Sequence, residues 1–297
     1  IDKEFTSQGE FDALLCSLDG TKNKSRLGAN TILALSLAYG KAVSKSRDQE
    51  FFEYIRSEYT FTQPMSLPLP LVNVLNGGRH AKGSTDVQEW MIVPVGAQTF
   101  NDAIHMGTKV FYTLRTMMEA RGASGVGDEG GFPLLHISNN KEALMVLTDA
   151  VKASGYIPGK DISFALDVAA SEFYNNSAYT LSSDNLILDS SQMISWLSEL
   201  STQFPIISIE DGLAEDDWGA WKILTEKMGS AVQLVGDDLF VTNREYIKKG
   251  IDMGVGNAVL IKPNQIGTLS ETVDAILLAQ SSNFHTIISH RSGETED

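Results

Sequence analysis

Short apolar runs in this 297-residue chain end repeatedly in groups able to do chemistry. Phe164-Ala-Leu ends in Asp167, Ile206-Ile-Ser-Ile in Glu210 and Asp211, and Leu234-Val-Gly in Asp237 and Asp238. Leu260-Ile ends in Lys262, and Ile287-Ile-Ser in His290 followed by Arg291. The successive steps of 43, 27, 25 and 28 residues are about one strand-helix unit each. Such spacing puts these groups at one end of neighbouring parallel strands, where barrel enzymes carry their catalytic residues.

Three acids on adjacent strand ends repel one another unless a cation lies among them. Oxygen donors without Cys or His suit a hard ion, Mg2+ above all, or Mn2+. One such acid alone would serve equally well as a cap for the helix that follows. Three in succession, with Lys and His in register, favour a shared site. Adjacent strand residues point to opposite faces, so which of Glu210 and Asp211, and which of Asp237 and Asp238, faces an ion stays open here. Lys262 ends a buried strand near that charge. Desolvation and a neighbouring cation lower the pKa of such an amine and free it to act as a base.

Two glycine-rich stretches add polar groups. Gly125-Val-Gly127-Asp128-Glu129-Gly130-Gly131 has the spacing of a dinucleotide fingerprint. It follows a helical segment (Phe111 to Arg121) instead of a strand, and two acids stand where a pyrophosphate would approach. It reads as backbone freedom that brings a carboxylate into a site. Asn76-Gly77-Gly78-Arg79-His80 reads the same way. His105, His136 and His285 have no partners in the pattern, Cys16 reads as buried packing, and Trp218 and Trp221 as core.

The elements that position these groups follow from periodicity. Arg26 to Val43 is apolar nearly all round and reads as a buried helix. Phe51 to Tyr59 is an amphipathic piece, and Phe61 to Pro70, with Pro64, Pro68 and Pro70, is a linker. Beyond it, strands are expected at 71–75, 90–95, 164–168, 206–209, 233–235, 258–261 and 286–288. Helices are expected at 191–200, 217–228, 244–253 and 269–279. The first two strands are close enough for a loop. From Phe164 onward strand and helix alternate, the pattern of an α/β fold with parallel strands, a (β/α) barrel ahead of an open sheet.

Composition narrows the function classes. The 42% hydrophobic fraction supports a sizeable core, and one cysteine excludes a disulfide framework or a multi-cysteine zinc site. With 23 basic against 38 acidic residues, net −15, nucleic acid and anionic membranes are poor partners. No run reaches the roughly 18 apolar residues of a membrane span, and the polar start does not read as a secretory signal, so a cytoplasmic location is expected.

The chain closely resembles the enolase family. The matching stretches are LGANTILALSLAYGKA (27–42), LPLPLVNVLNGGRHA (67–81), VQEWMIVPVGA (87–97), GVGDEGGF (125–132), ALDVAASEFY (165–174), SIEDGLAEDDW (208–218), LVGDDLFVTN (234–243), LIKPNQIGT (260–268) and SHRSGETED (289–297). They run in the family order over nearly the whole chain. SIEDGLAEDDW looks like the bacterial branch.

The resemblance implies a modified TIM barrel that starts ββαα and continues in βα units over 64–297, preceded by a helical part of an N-terminal capping domain over 1–63. It also implies that family segments at both ends lie outside the chain, so that the barrel is truncated before its last strand. The implied reaction is the Mg2+-dependent, reversible dehydration of 2-phosphoglycerate to phosphoenolpyruvate, with two Mg2+ per site and a homodimeric protein. The family's metal ligands fall on Asp167, Glu210 and Asp237. Its base falls on Lys262, and its general acid on Glu129 with Glu89 beside it. Substrate contacts fall on His80, Glu89, His290, Arg291 and Ser292. The alternative is a truncated, non-catalytic relative that acts as a binding module.

Overall fold

Capping residues and glycines set where the helices start, and runs of Val, Ile and Leu set the strands between them. The computed structural model describes residues 4–81, 84–123, 125–127, 129–134, 137 and 139–291. The chain begins with helices α1 (Gln8–Asp19), α2 (Ala29–Ser46) and α3 (Phe51–Glu58). Strands β1 (Val72–Asn76) and β2 (Glu89–Val93) follow, then α4 (Phe100–Ala120), the two-residue β3 (Phe132–Pro133), α5 (Asn140–Ala153) and β4 (Ser163–Asp167). A small ribbon comes next, β5 (Tyr174–Asn175), β6 (Ala178–Leu181) and β7 (Leu186–Leu188). The chain continues through α6 (Ser190–Gln203), β8 (Ile206–Glu210), α7 (Trp218–Met228), β9 (Gln233–Gly236) and α8 (Arg244–Met253). It ends with β10 (Ala258–Ile261), α9 (Pro263–Ile266), α10 (Leu269–Ser281) and β11 (His285–Ile288).

Two units form. One comprises Ile1–Met65, Phe240–Met253 and Ala258–His290; the other comprises Ser66–Leu239, Gly254–Asn257 and Arg291–Asp297. The change from the first to the second, at Met65, falls inside the proline-bearing stretch, which has neither helix nor strand.

In the larger unit the strand order is β9-β8-β4-β2-β1-β3. β4, β8 and β9 are parallel, whereas β2 runs antiparallel to both β1 and β4. The start is therefore ββ followed by α4 and α5, with the short β3 between them. β2 and β4 are buried at every position, as expected for strands covered on both faces. Trp90 and Ile92 of β2, Phe164 of β4, and Leu114 and Met118 of α4 are all less than 2% exposed. Trp221 is wholly buried and its indole N–H reaches the carbonyls of Leu213 and Ala214, both at 3.2 Å. Trp218 is half-buried.

The ribbon β5–β7 interrupts the expected alternation after β4. Its strands are only two to four residues long, too short for a periodic signal. The turn between β5 and β6 uses Asn176 and Ser177 at φ +49° and +61°, the handedness that tight hairpins require. The helix read as Phe111 to Arg121 starts eleven residues earlier, at Phe100, where the Thr99 side chain accepts the N–H of Asp102. The helix read from Arg26 starts at Ala29, because Gly28 at φ +90° turns the chain just before it.

In the smaller unit, buried polar groups tie the N-terminal helices to α10. Gln8, with no exposure, donates to Asp12 and to the Ser36 carbonyl at 3.0 Å each, and accepts from the Tyr54 hydroxyl at 3.1 Å. The amides of Leu269 and Ser270 donate to Ser36 Oγ and Asp12 Oδ2, both at 2.9 Å. Lys24, 5% exposed, pairs with Glu271 at 2.9 Å. Buried partners of this kind are costly to break one at a time. Cys16 departs from the expectation of burial. It is half-buried, and its thiol lies 3.9 Å from Glu271 Oε2 because α1 faces the first turn of α10 there. Burial first, and then the Glu271 charge, push the thiol pKa up, so it is a poor nucleophile. β10 and β11 pair in parallel in this unit, with His285 exposed at the start of β11.

Candidate active site

Strand register builds the first part of the site. Glu89 on β2 pairs with Asp167 on β4, and Asp167 pairs with Glu210 on β8. Directly paired residues show their side chains on one face, so three carboxylates stand in a row across three strands. Their exposures are 9%, 8% and 8%. The next strand continues the pattern: Glu210 pairs with Val235, and Asp237 lies two residues further on, itself 8% exposed. Asp167 is oriented by two bonds, from Gln88 Nε2 and from the Ala169 amide, each at 3.0 Å.

Asp211, next to Glu210, is a separate case. It is 4% exposed, and both of its side-chain oxygens accept backbone N–H groups, those of Asp237 at 3.0 Å and Asp238 at 2.8 Å. Burial, and then the charges of Asp237 and Asp167, raise its pKa well above the usual carboxylate value, against a lowering by the Asp238 amide. One oxygen each from Asp211, Asp237 and Asp238 lie within 4.8 Å of one another.

The second part is carried by loops. His80 Nδ1 lies 3.3 Å from Glu89 Oε1 and 3.7 Å from Glu129 Oε2. Burial is the main cause that raises the Glu89 pKa; a shared hydrogen bond with Glu129 raises it further, against a lowering by His80. The same contact with Glu89 is the main cause that raises the pKa of His80. Glu89 and His80 therefore each hold a proton more tightly than the isolated side chains do.

Glycines let the loops make this approach. A Cβ on Gly131 would stand 2.3 Å from Asn76 Oδ1, and one on Gly127 2.8 Å from Asn76 Nδ2. The loop thus lies against Asn73 and Asn76 of β1, whose amides donate to the carbonyls of Glu129 at 3.4 Å and Gly131 at 3.3 Å. At the other loop, a Cβ on Gly77 would be 2.0 Å from Thr85 Oγ1. The folded-back segment carries His80 toward Glu89, while Arg79 pairs with Glu172. Asn140, wholly buried at the start of α5, holds the end of that segment just before β2. Its Oδ1 accepts the amides of Asp86 and Val87, both at 3.2 Å.

A family model described as the enolase C-terminal TIM barrel domain matches residues 64–297, and one described as the enolase N-terminal domain matches residues 1–55. The chain belongs to the enolase family. An enolase-like function follows from that membership, in a family of lyases. No helix among the described residues is long and apolar enough to cross a membrane.

Against this enolase frame, the larger unit brings Glu89, Asp167 and Glu210 into one row and gathers His80, Glu89 and Glu129. Lys262 belongs to the smaller unit. It follows β10, caps α9, and its amide donates to Thr242 Oγ1 at 2.8 Å. His290 lies exposed just beyond β11, Arg291 is half-buried, and Ser292 falls outside the described residues. A divalent cation suits the oxygen donors: the carboxylates of Asp167, Glu210 and Asp237, each 8% exposed, stand at the ends of neighbouring strands. Sequence reasoning missed Asn73, Asn76, Gln88 and Asn140. Their only signal is their type, a polar residue beside a glycine loop or at a helix start, which many surface residues share.

Proposed function

We propose that this chain catalyses the reversible dehydration of 2-phosphoglycerate to phosphoenolpyruvate with Mg2+. The observation that carries the reading is the division of the site's carboxylates into two kinds. Asp167, Glu210 and Asp237 are strand-end acids suited to hold Mg2+. Glu89 and Glu129 share a hydrogen bond beside His80, and burial makes Glu89 favour a bound proton. Bound Mg2+ would supply positive charge beside the substrate carboxylate, where charge develops when a proton leaves C2.

Lys262 takes the C2 proton in this reading, and Glu129, with Glu89, donates a proton to the departing hydroxide. Such leaving groups need protonation at neutral pH. His80 approaches on its loop and closes on the substrate, while His290, Arg291 and Ser292 bind it, the last two at the phosphate. We assign residues 1–63 to a capping domain and 64–297 to the barrel, place the protein in the cytoplasm and expect it to act as a homodimer.

The experiment is exchange of the C2 proton of 2-phosphoglycerate into solvent, followed by NMR with and without Mg2+. Wild-type protein should exchange it only with the metal, and Lys262→Ala should abolish exchange. Exchange at the normal rate in Lys262→Ala rejects that residue as the base. Mg2+ binding with neither exchange nor phosphoenolpyruvate formation would leave a binding protein.

A further inference from the structure

We infer that Asp211 is a positioning residue that sets the metal-ligand geometry before any ion binds, an inference that rests on the metal reading of Asp167, Glu210 and Asp237. Asp211 joins the ends of all three ligand-bearing strands. Its amide donates to the Val235 carbonyl of β9 at 3.0 Å, and its carbonyl accepts the Ala170 amide, just past β4, at 3.0 Å. Its side chain reaches the turn after β9, taking the Asp237 amide on one oxygen and the Asp238 amide on the other. With the covalent bond to Glu210, one residue is fastened to each segment that presents a ligand.

The backbone shows that this arrangement is imposed. Asp211 has φ +41°, in the left-handed region that residues with a side chain rarely adopt. This conformation reverses the chain directly after Glu210. Glu210 stays in the row with Asp167, while the next carboxylate turns beneath the β9 turn instead of projecting on the opposite face of a continued strand. The two N–H bonds, one to each oxygen, set the orientation of the Asp211 carboxylate. They also fix the peptide that carries Asp237. Groups that orient metal ligands in this way typically alter metal affinity 10- to 100-fold when removed.

Two measurements on the 297-residue chain test the inference. In metal-free wild type, hydrogen exchange read by NMR should show the Asp237 and Asp238 amides already protected, with little further gain on adding Mg2+. Mn2+ binding, read from the EPR signal of free ion, should weaken about 10- to 100-fold in Asp211→Asn, which replaces one acceptor oxygen by a donor amide. Asp238→Asn removes the same charge beside the site without touching the brace, and should cost distinctly less. Equal losses in the two variants, or affinity within about twofold of wild type in Asp211→Asn, overturn the inference and leave only a nearby charge. Fast exchange of both amides until Mg2+ is added overturns it without relying on any variant. A wild type that binds no Mn2+ while both amides stay protected overturns the metal reading instead.

Discussion

The larger unit uses its carboxylates in two ways, and the difference lies in what carries them. Asp167, Glu210 and Asp237 stand at or just beyond strand ends, oriented by backbone hydrogen bonds and ladder register. Glu89 and Glu129 instead meet through a glycine loop on one side and sit beneath the His80 loop on the other. The row is rigid because a sheet cannot shift one residue without turning every side chain over. The loop cluster is held by glycine turns and by the side-chain amides of Asn73, Asn76 and Asn140 instead of by ladder register. Acids placed in a rigid row suit a cation that needs fixed donors, whereas acids that meet on loops beside a histidine suit proton transfer.

The sharpest way to break this comparison is to disable one side alone. Glu129→Gln should lower turnover about 10^2- to 10^4-fold, the usual range for loss of a general acid, with Mn2+ affinity of the strand-end row unchanged within about twofold. Steady-state rates and a metal titration on the same preparation check both halves. A parallel loss of affinity and turnover would make the two groups a single unit.

A smaller effect is expected where a structural tie holds the loop side. Asn140 accepts two amides and donates to Asp86 Oδ2 and Ser183 Oγ, both at 3.1 Å, and to Asp184. Asn140→Ala leaves buried donors and acceptors unmatched and should cost about 2–3 kcal/mol of stability, read from urea unfolding. Loss confined to turnover, at full stability, would make Asn140 a part of the catalytic machinery instead.

The proton held by the loop cluster gives a pH signature. Glu89 is raised chiefly by burial and His80 chiefly by its bond to Glu89, so the folded state binds protons more tightly at both. Their stabilisation is complete below the unfolded values, about 4.3 for Glu and about 6.5 for His, and is lost as pH rises through the raised folded values. Metal-free wild type should therefore lose urea resistance more steeply with rising pH than Glu89→Gln does. Identical slopes would remove burial of Glu89 as the source of the shift. The smallest effect belongs to a pair outside both regions: Arg115 and Glu119 lie 2.7 Å apart, each about half exposed. Arg115→Ala should leave the urea-unfolding midpoint nearly unchanged, with any difference shrinking further at high salt.

Several features were legible from residues alone. Seven of the strands follow from apolar runs, most clearly β2 and β4, which are buried at every position, whereas the two-residue β3 does not. The strand-end acids were visible because one strand-helix unit has a nearly constant length, and the order of motifs carried the family. The ribbon β5–β7 was not legible, since its strands are too short for a period. Nor was the half-exposure of Cys16, which depends on how α1 meets α10.

Composition, spacing and motif order thus determined an acidic α/β chain of the enolase family with oxygen donors at its strand ends. Only the tertiary structure decided which acids share a row, that Asp211 is spent on the amides of Asp237 and Asp238, and that Glu89 meets Glu129 and His80. The physical reason is that residue type and periodicity report on neighbours along one element. Register, a left-handed turn after Glu210 and the close approach of a glycine loop to Asn76 join residues far apart in the chain, and their free energies depend on burial and distance that no local pattern encodes.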